Sequence, residues 1–352
     1  MISNKIVSIQ ILRAIACLSV LYVHFYVDFP VTGHIFCGAI GVDLFFVISG
    51  YIIASSIDKY VFESNRGLSF LINRFSRVAP YYYLLTFLFA CFLYIFHKHI
   101  STVRLIKSLL FLPQREDPIL FLGWSLNHEV FFYAVIGCFL LLFKKIKAKY
   151  AGLGFMATIF CIYLIPSKNY LILFFQSNLN LIFLFGYFGY VYKGLLQKYF
   201  NHYIILVLSI SSFFIIPFFT TDFPVVQGQT SITPTWVYSR EWIYICKYSF
   251  FLPRCIAWGL PSFALLMSLV AQEATLKQFS NSVLVKIGDY SYSVYLLEAF
   301  LWLIKFVKGI PTTLLYSSGL CVIVLLISYY MFKVETFLGK SFKNYLLKIV
   351  IK

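Results

Sequence analysis

The chain has 352 residues, 61% of them hydrophobic and only 12% charged, with a mean hydropathy of +0.85. That balance excludes a soluble domain of this length. The formal net charge of +16 would suggest nucleic acid for a soluble protein, but its placement here follows membrane topology, so no nucleic-acid partner is expected.

The apolar runs approach 20 residues and lack the alternation of barrel strands, which predicts an all-α polytopic integral membrane protein. Ten transmembrane helices are expected, over residues 6–28, 39–57, 78–96, 121–143, 150–166, 170–192, 202–219, 249–272, 287–307 and 311–332. With both the N- and C-termini cytoplasmic, 18 of the 29 basic residues fall in short inner loops or the tail, ten fall outside and Arg13 lies within the membrane. The expected division is a transmembrane domain over 1–335 and a basic amphipathic cytoplasmic tail over 336–352, lying against membrane lipids.

The first span, residues 6–28, is too long for the core of a signal peptide and is interrupted by Arg13, so it reads as an uncleaved helix. Arg13 and His24 are eleven residues apart, which places them on one helix face about 16 Å apart along the axis. A charge near the bilayer centre costs about 2.5–3.5 kcal/mol on insertion scales, so Arg13 requires a partner or a polar cavity. A snorkelling Arg13 with His24 at the far interface is the plain alternative.

Further along, Asp43 sits near the outer end of the second span, in GVDLFFVISGYII. Arg74 and Arg77, in NRFSRVAPYYY, mark the cytoplasmic entry to the third. Ser125 lies near the outer end of the fourth, in LGWSLNHEVFFY, with Glu129 one turn deeper on the same face. The result is a ladder of polar groups across the membrane, and pairing round a shared cavity is its least costly arrangement. Residues 97–120 contain an apolar piece too short to span, which reads as interfacial or re-entrant. Residues 220–248 are rich in Trp and Tyr, which suit either an interface belt or sugar faces.

Eight cysteines are scattered without a C-x-x-C or Cys/His cluster, so no metal is expected, nor a Cys37–Cys246 disulfide. His34, His97, His99 and His202 fall in loops, and His128 points about 100° away from Glu129 on its helix.

Taken in order, Arg-x10-His, GVDLFFVISGYII, R-x-x-R, W-S-L-x-x-E-x-x-F-Y and a later GDYSYSVYLLE resemble the membrane-bound acyltransferase 3 family across nearly the whole chain. The resemblance implies about ten spans, an acyl donor in cytoplasmic acyl-CoA (by default acetyl-CoA) and a glycan acceptor hydroxyl outside a bacterial cytoplasmic (inner) membrane. Some members carry a C-terminal esterase-like domain; none is expected here. The chain departs from the pattern at Glu298, where a histidine would follow Tyr-Leu, so that helix receives no role.

Moving an acyl group from thioester to hydroxyl needs cations for the donor's phosphates, a base for the hydroxyl and a stabiliser for the oxyanion. Arg74 and Arg77 suit the phosphates, and Arg13 the pantetheine arm or its phosphates. His24 suits the base, oriented by Asp43 or by Glu129, with a covalent acetyl-His24 route left open. Ser125 suits acceptor positioning, oxyanion donation or, less readily, acyl-serine chemistry. The alternatives are a transporter or flippase using the buried Arg/His/Glu path, which inverted repeats and matching broken helices would mark, and a non-catalytic assembly protein. The sequence contains neither mark of the transporter.

Overall fold

The computed structural model describes residues 5–26, 40–59, 65–96, 100–114, 116–143, 145–199, 201–219, 242–245, 250–308 and 313–350. His34, His97 and His99, the Cys37–Cys246 pair and most of 220–248 lie outside them. The helices are α1 (Val7–Tyr26), α2 (Ile40–Lys59), α3 (Arg66–Ile95), α4 (Thr102–Leu109), α5 (Trp124–Leu142), α6 (Ala148–Tyr163), α7 (Tyr170–Phe175) and α8 (Asn178–Val191). There follow α9 (Lys193–Tyr199), α10 (His202–Phe219), α11 (Leu260–Ala271), α12 (Glu273–Leu276), α13 (Val283–Asp289), α14 (Ser291–Lys308) and α15 (Leu314–Val350). A two-stranded antiparallel hairpin, β1 (Trp242–Ile245) and β2 (Phe250–Pro253), precedes a π-helical turn at Cys255–Gly259.

Among the described residues six helices are long and apolar enough to cross a membrane, or up to eight if each of two bent pairs counts as one span. The differences from the expected spans have local causes. The 170–192 stretch remains one candidate span, Tyr170–Val191, interrupted where the Ser177 hydroxyl accepts the Leu179 N–H at 3.2 Å and caps α8. The third helix begins at Arg66, well before the expected start, which carries Arg74 and Arg77 into its body. The 249–272 stretch opens as a strand and a π turn before it becomes α11. The last helix continues unbroken through the expected tail to Val350.

The chain packs as two units. The first comprises Met1–Ile53, Gln176–Ser291 and Pro311–Cys321. Within it α2 and α8 cross at backbone contact: Gly50 lies against the Phe183 carbonyl, and Gly186 against that of Val47. The two glycines thus complete a reciprocal small-residue crossing, the way membrane helices gain close packing without a hydrophobic driving force. At the start of α1, the Glu273 carboxylate accepts the N–H groups of Val7 (2.8 Å) and Ser8 (2.9 Å). Two of the donors orphaned at a helix N-terminus are so satisfied, with favourable charge.

The second unit comprises Ala54–Phe175, Tyr292–Ile310 and Val322–Lys352. Here α3 and α5 run antiparallel in a defined register: Gly67 meets Leu141, Leu71 meets Gly137, and Tyr82 meets Gly123. Arg66 is buried and clamps the ends of two neighbours, donating to the carbonyls of Ile57 (2.7 Å) and Ile146 (2.6 Å). The stretch after α3 returns along it, since buried Phe111 stacks near Tyr82, Tyr83 and Phe75 with centroids 4.9, 5.8 and 6.0 Å away. Phe111 reaches them from a left-handed backbone conformation (φ 54°) just past α4, and Ser108 braces the turn by accepting the Ile119 N–H. The segment expected to be interfacial or re-entrant packs Phe111 on α3 while Val103, Ile106, Leu110 and Leu112 stay exposed.

Candidate active site

The seven sequence-predicted residues divide between the units: Arg13, His24 and Asp43 in the first, Arg74, Arg77, Ser125 and Glu129 in the second. In the first unit α1 is continuous, so Arg13 and His24 share one face, both half-buried, with His24 in the last turn. Helix α2 meets α1 where Gly41 abuts the Ala16 carbonyl, eight residues or about 12 Å of helical rise before His24.

Asp43 lies in the first turn of α2, fully buried. Its two oxygens are gripped by one guanidinium: Arg254 Nε donates to Oδ1 at 2.9 Å and Nη2 to Oδ2 at 2.8 Å. This fork-to-fork pair is the strongest geometry available to an arginine and a carboxylate. Arg254 immediately precedes the π turn, whose Trp258 and Ala257 pack on Ile40 at the start of α2. The ion pair and the apolar contact bolt α2 to the entry of α11. The partner of Asp43 is therefore Arg254, a residue outside the expected polar ladder. Its position near the start of an apolar span was the available signal.

In the second unit the register of α3 on α5 decides the geometry. Interpolating between the Tyr82–Gly123 and Leu71–Gly137 contacts sets Glu129 level with Arg77, and Tyr133 level with Arg74. Contacts agree: Arg74 lies over the Phe70 ring (5.8 Å), Phe70 meets Tyr133 edge-on (6.5 Å), and the Tyr133 hydroxyl donates to Glu129 Oε1 at 2.5 Å. The charges of both arginines bear on the Tyr133 hydroxyl. Glu129 and the arginines, expected at different depths of the ladder, thus form one cluster. Arg77 is exposed and Arg74 half-buried.

Ser125 is buried at the start of α5, and its Oγ lies 2.8 Å from the Tyr295 hydroxyl and 3.2 Å from the Leu122 carbonyl. The Tyr295 hydroxyl also donates to that carbonyl, at 3.1 Å. Tyr295, in the GDYSYSVYLLE element, closes a three-way clamp on the turn that presents Ser125. On the same helix Tyr292 donates to the Val78 carbonyl (2.9 Å), Ser293 to Glu335 on α15 (2.5 Å), and Glu298 is fully buried. His128 is stacked on Phe174 (centroids 3.9 Å apart, 17° between planes).

Long apolar helices with charged groups held among them define a multi-pass membrane protein. More narrowly, the chain belongs to the acyltransferase 3 family: the family described as "Acyltransferase domain" matches residues 6–333. It is also similar to the "Exopolysaccharide production protein ExoZ" of Rhizobium meliloti (strain 1021), 38% identical over 114 residues, which cover 30% of this chain and 35% of the relative. The match thus spans about a third of that relative's length. No solved structure matches the chain.

Proposed function

We propose that the protein is an O-acetyltransferase of a bacterial inner membrane, with ten spans and cytoplasmic termini, that moves an acetyl group from cytoplasmic acetyl-CoA to a hydroxyl of a cell-surface or exported glycan. The observation that carries this reading is the α3–α5 register, which sets Glu129 opposite Arg77, with Arg74 one turn away beside Tyr133. Arg74 and Arg77 receive the phosphates of the donor, and Arg13 its pantetheine arm or phosphates. The likeness to a protein named for exopolysaccharide production supports a polysaccharide acceptor.

In the reaction, His24 takes the proton of the acceptor hydroxyl while the oxygen attacks the thioester carbonyl. The tetrahedral intermediate collapses, the C–S bond breaks, and the CoA thiolate leaves with the proton returned by His24. Asp43 serves by holding α2 through Arg254. Ser125, held between the Tyr295 hydroxyl and the Leu122 carbonyl, serves by positioning the acceptor or donating to the oxyanion, with acyl-serine chemistry the lesser route.

The test is the O-acetyl content of surface glycans in cells with and without the protein, together with transfer of label from acetyl-CoA by the purified chain in liposomes. Label reaching glycan supports the reading. A protein that moves a solute without consuming acetyl-CoA is instead the transporter.

A further inference from the structure

Between α10 and α11 in the first unit runs a cleft of about 460 Å³, within the size range of small-molecule sites. Its walls include Leu208, Phe263, Ala264 and Met267. The serines that line it present no free polarity: Ser209 donates to the Ile205 carbonyl, Ser212 to Ser209 and Ser268 to Ala264, at 2.6, 2.7 and 2.8 Å. With the hydroxyls turned onto their own helices, the interior suits a hydrocarbon chain. Ile256 and Leu260 line it and are 45% and 44% exposed, so the cleft opens on the apolar surface of the protein.

One end differs. There α9 contributes Leu196 and Gln197, and α10 begins with His202. Helix α9 is bent 98° from α10. Lys193 and Lys198 sit on it over the rings of Tyr190 (4.7 Å) and Tyr199 (5.2 Å), the Lys–Tyr pairing of a membrane–water boundary. Neither α9, α10 nor α11 contains an Asp or Glu.

We infer that this cleft is a lipid site holding one acyl chain of an anionic phospholipid, with the headgroup phosphate at Lys193, Lys198 and His202. Basic residues at a surface attract anionic lipid, and the apolar cleft below supplies the chain-binding half that a charged surface alone lacks.

The experiment is native mass spectrometry of the full chain purified in detergent, after incubation with dioleoyl phosphatidylglycerol or dioleoyl phosphatidylcholine. One phosphatidylglycerol should be retained, with a preference over phosphatidylcholine of about tenfold from the two lysines. Ala264→Phe fills the cleft from α11 and Ser212→Phe from α10; both should lose the retained lipid while keeping the helical circular dichroism of the parent. Lys193→Gln with Lys198→Gln should keep a bound lipid and lose the preference. Equal retention of both lipids by the parent chain, retention unchanged in the filled variants, or displacement of phosphatidylglycerol by equimolar undecaprenyl phosphate would each overturn the assignment. The last would make the cleft an isoprenoid site.

Discussion

Arg254 holds both carboxylate oxygens of Asp43, across 211 residues of sequence, in a site where the two side chains are 6% and 0% exposed. Neither charge could remain there alone. Breaking a buried pair by removing one partner costs about 3–5 kcal/mol, whereas replacing both with apolar groups of similar volume is often neutral. Asp43→Leu and Arg254→Met should each lower the thermal unfolding midpoint sharply in detergent, and the double variant should recover most of the loss. Recovered stability without recovered acetyl transfer would give Asp43 or Arg254 a chemical role beyond holding α2.

His24→Ala should abolish O-acetylation of the glycan while insertion and unfolding midpoint stay near the parent, because His24 is half-buried in the last turn of α1. Measured label transfer from acetyl-CoA within twofold of the parent would remove His24 as the base.

Arg74→Lys and Arg77→Lys keep the charge and lose the planar fork. If the guanidinium groups grip donor phosphates, KM for acetyl-CoA should rise about tenfold with a smaller change in kcat. An unchanged KM with a fallen kcat would place them on the transition state instead.

Tyr295→Phe removes one hydroxyl from the clamp on Ser125 and the Leu122 carbonyl. A hydrogen bond of this kind contributes about 0.5–1.5 kcal/mol, so the loss should be of that size. Ser125→Ala should lower transfer only in part, as loss of a positioning hydroxyl would, and the double variant should show coupling of the order of 1 kcal/mol in a cycle of unfolding measurements. Strict additivity would mean the two hydroxyls do not act together.

Gly186→Leu would drive a side chain into the Val47 carbonyl on α2. The cost should reach the upper end of the ~1–3 kcal/mol typical of overpacking or exceed it, since backbone and not a flexible side chain must yield. Thermal unfolding of this variant against Gly194→Leu, at a glycine with open space around it, isolates the packing effect.

How far the site could be read from sequence varied with the range of the interaction. The shared face of Arg13 and His24 was legible because one helix's periodicity fixes it. The cap at Ser177 was not, because the apolar run continues across it, although residues 170–191 still count as one span as expected. The depth assigned to Arg74 and Arg77 followed from assuming that the third helix starts where its apolar run starts; the helix begins at Arg66 instead. The clamp on Ser125 was half visible, its tyrosine quoted within a motif but its partner 170 positions away.

The sequence alone determined that this is a helical membrane protein and which motifs mark its family, because hydropathy over a span and spacing within a helix are local properties. Which groups meet was decided by tertiary packing. Asp43 pairs with Arg254, Glu129 stands level with Arg77, and Tyr295 closes on Ser125 because particular small residues let particular helices approach at one register. That register is a property of facing surfaces, and no periodicity within a single helix encodes it.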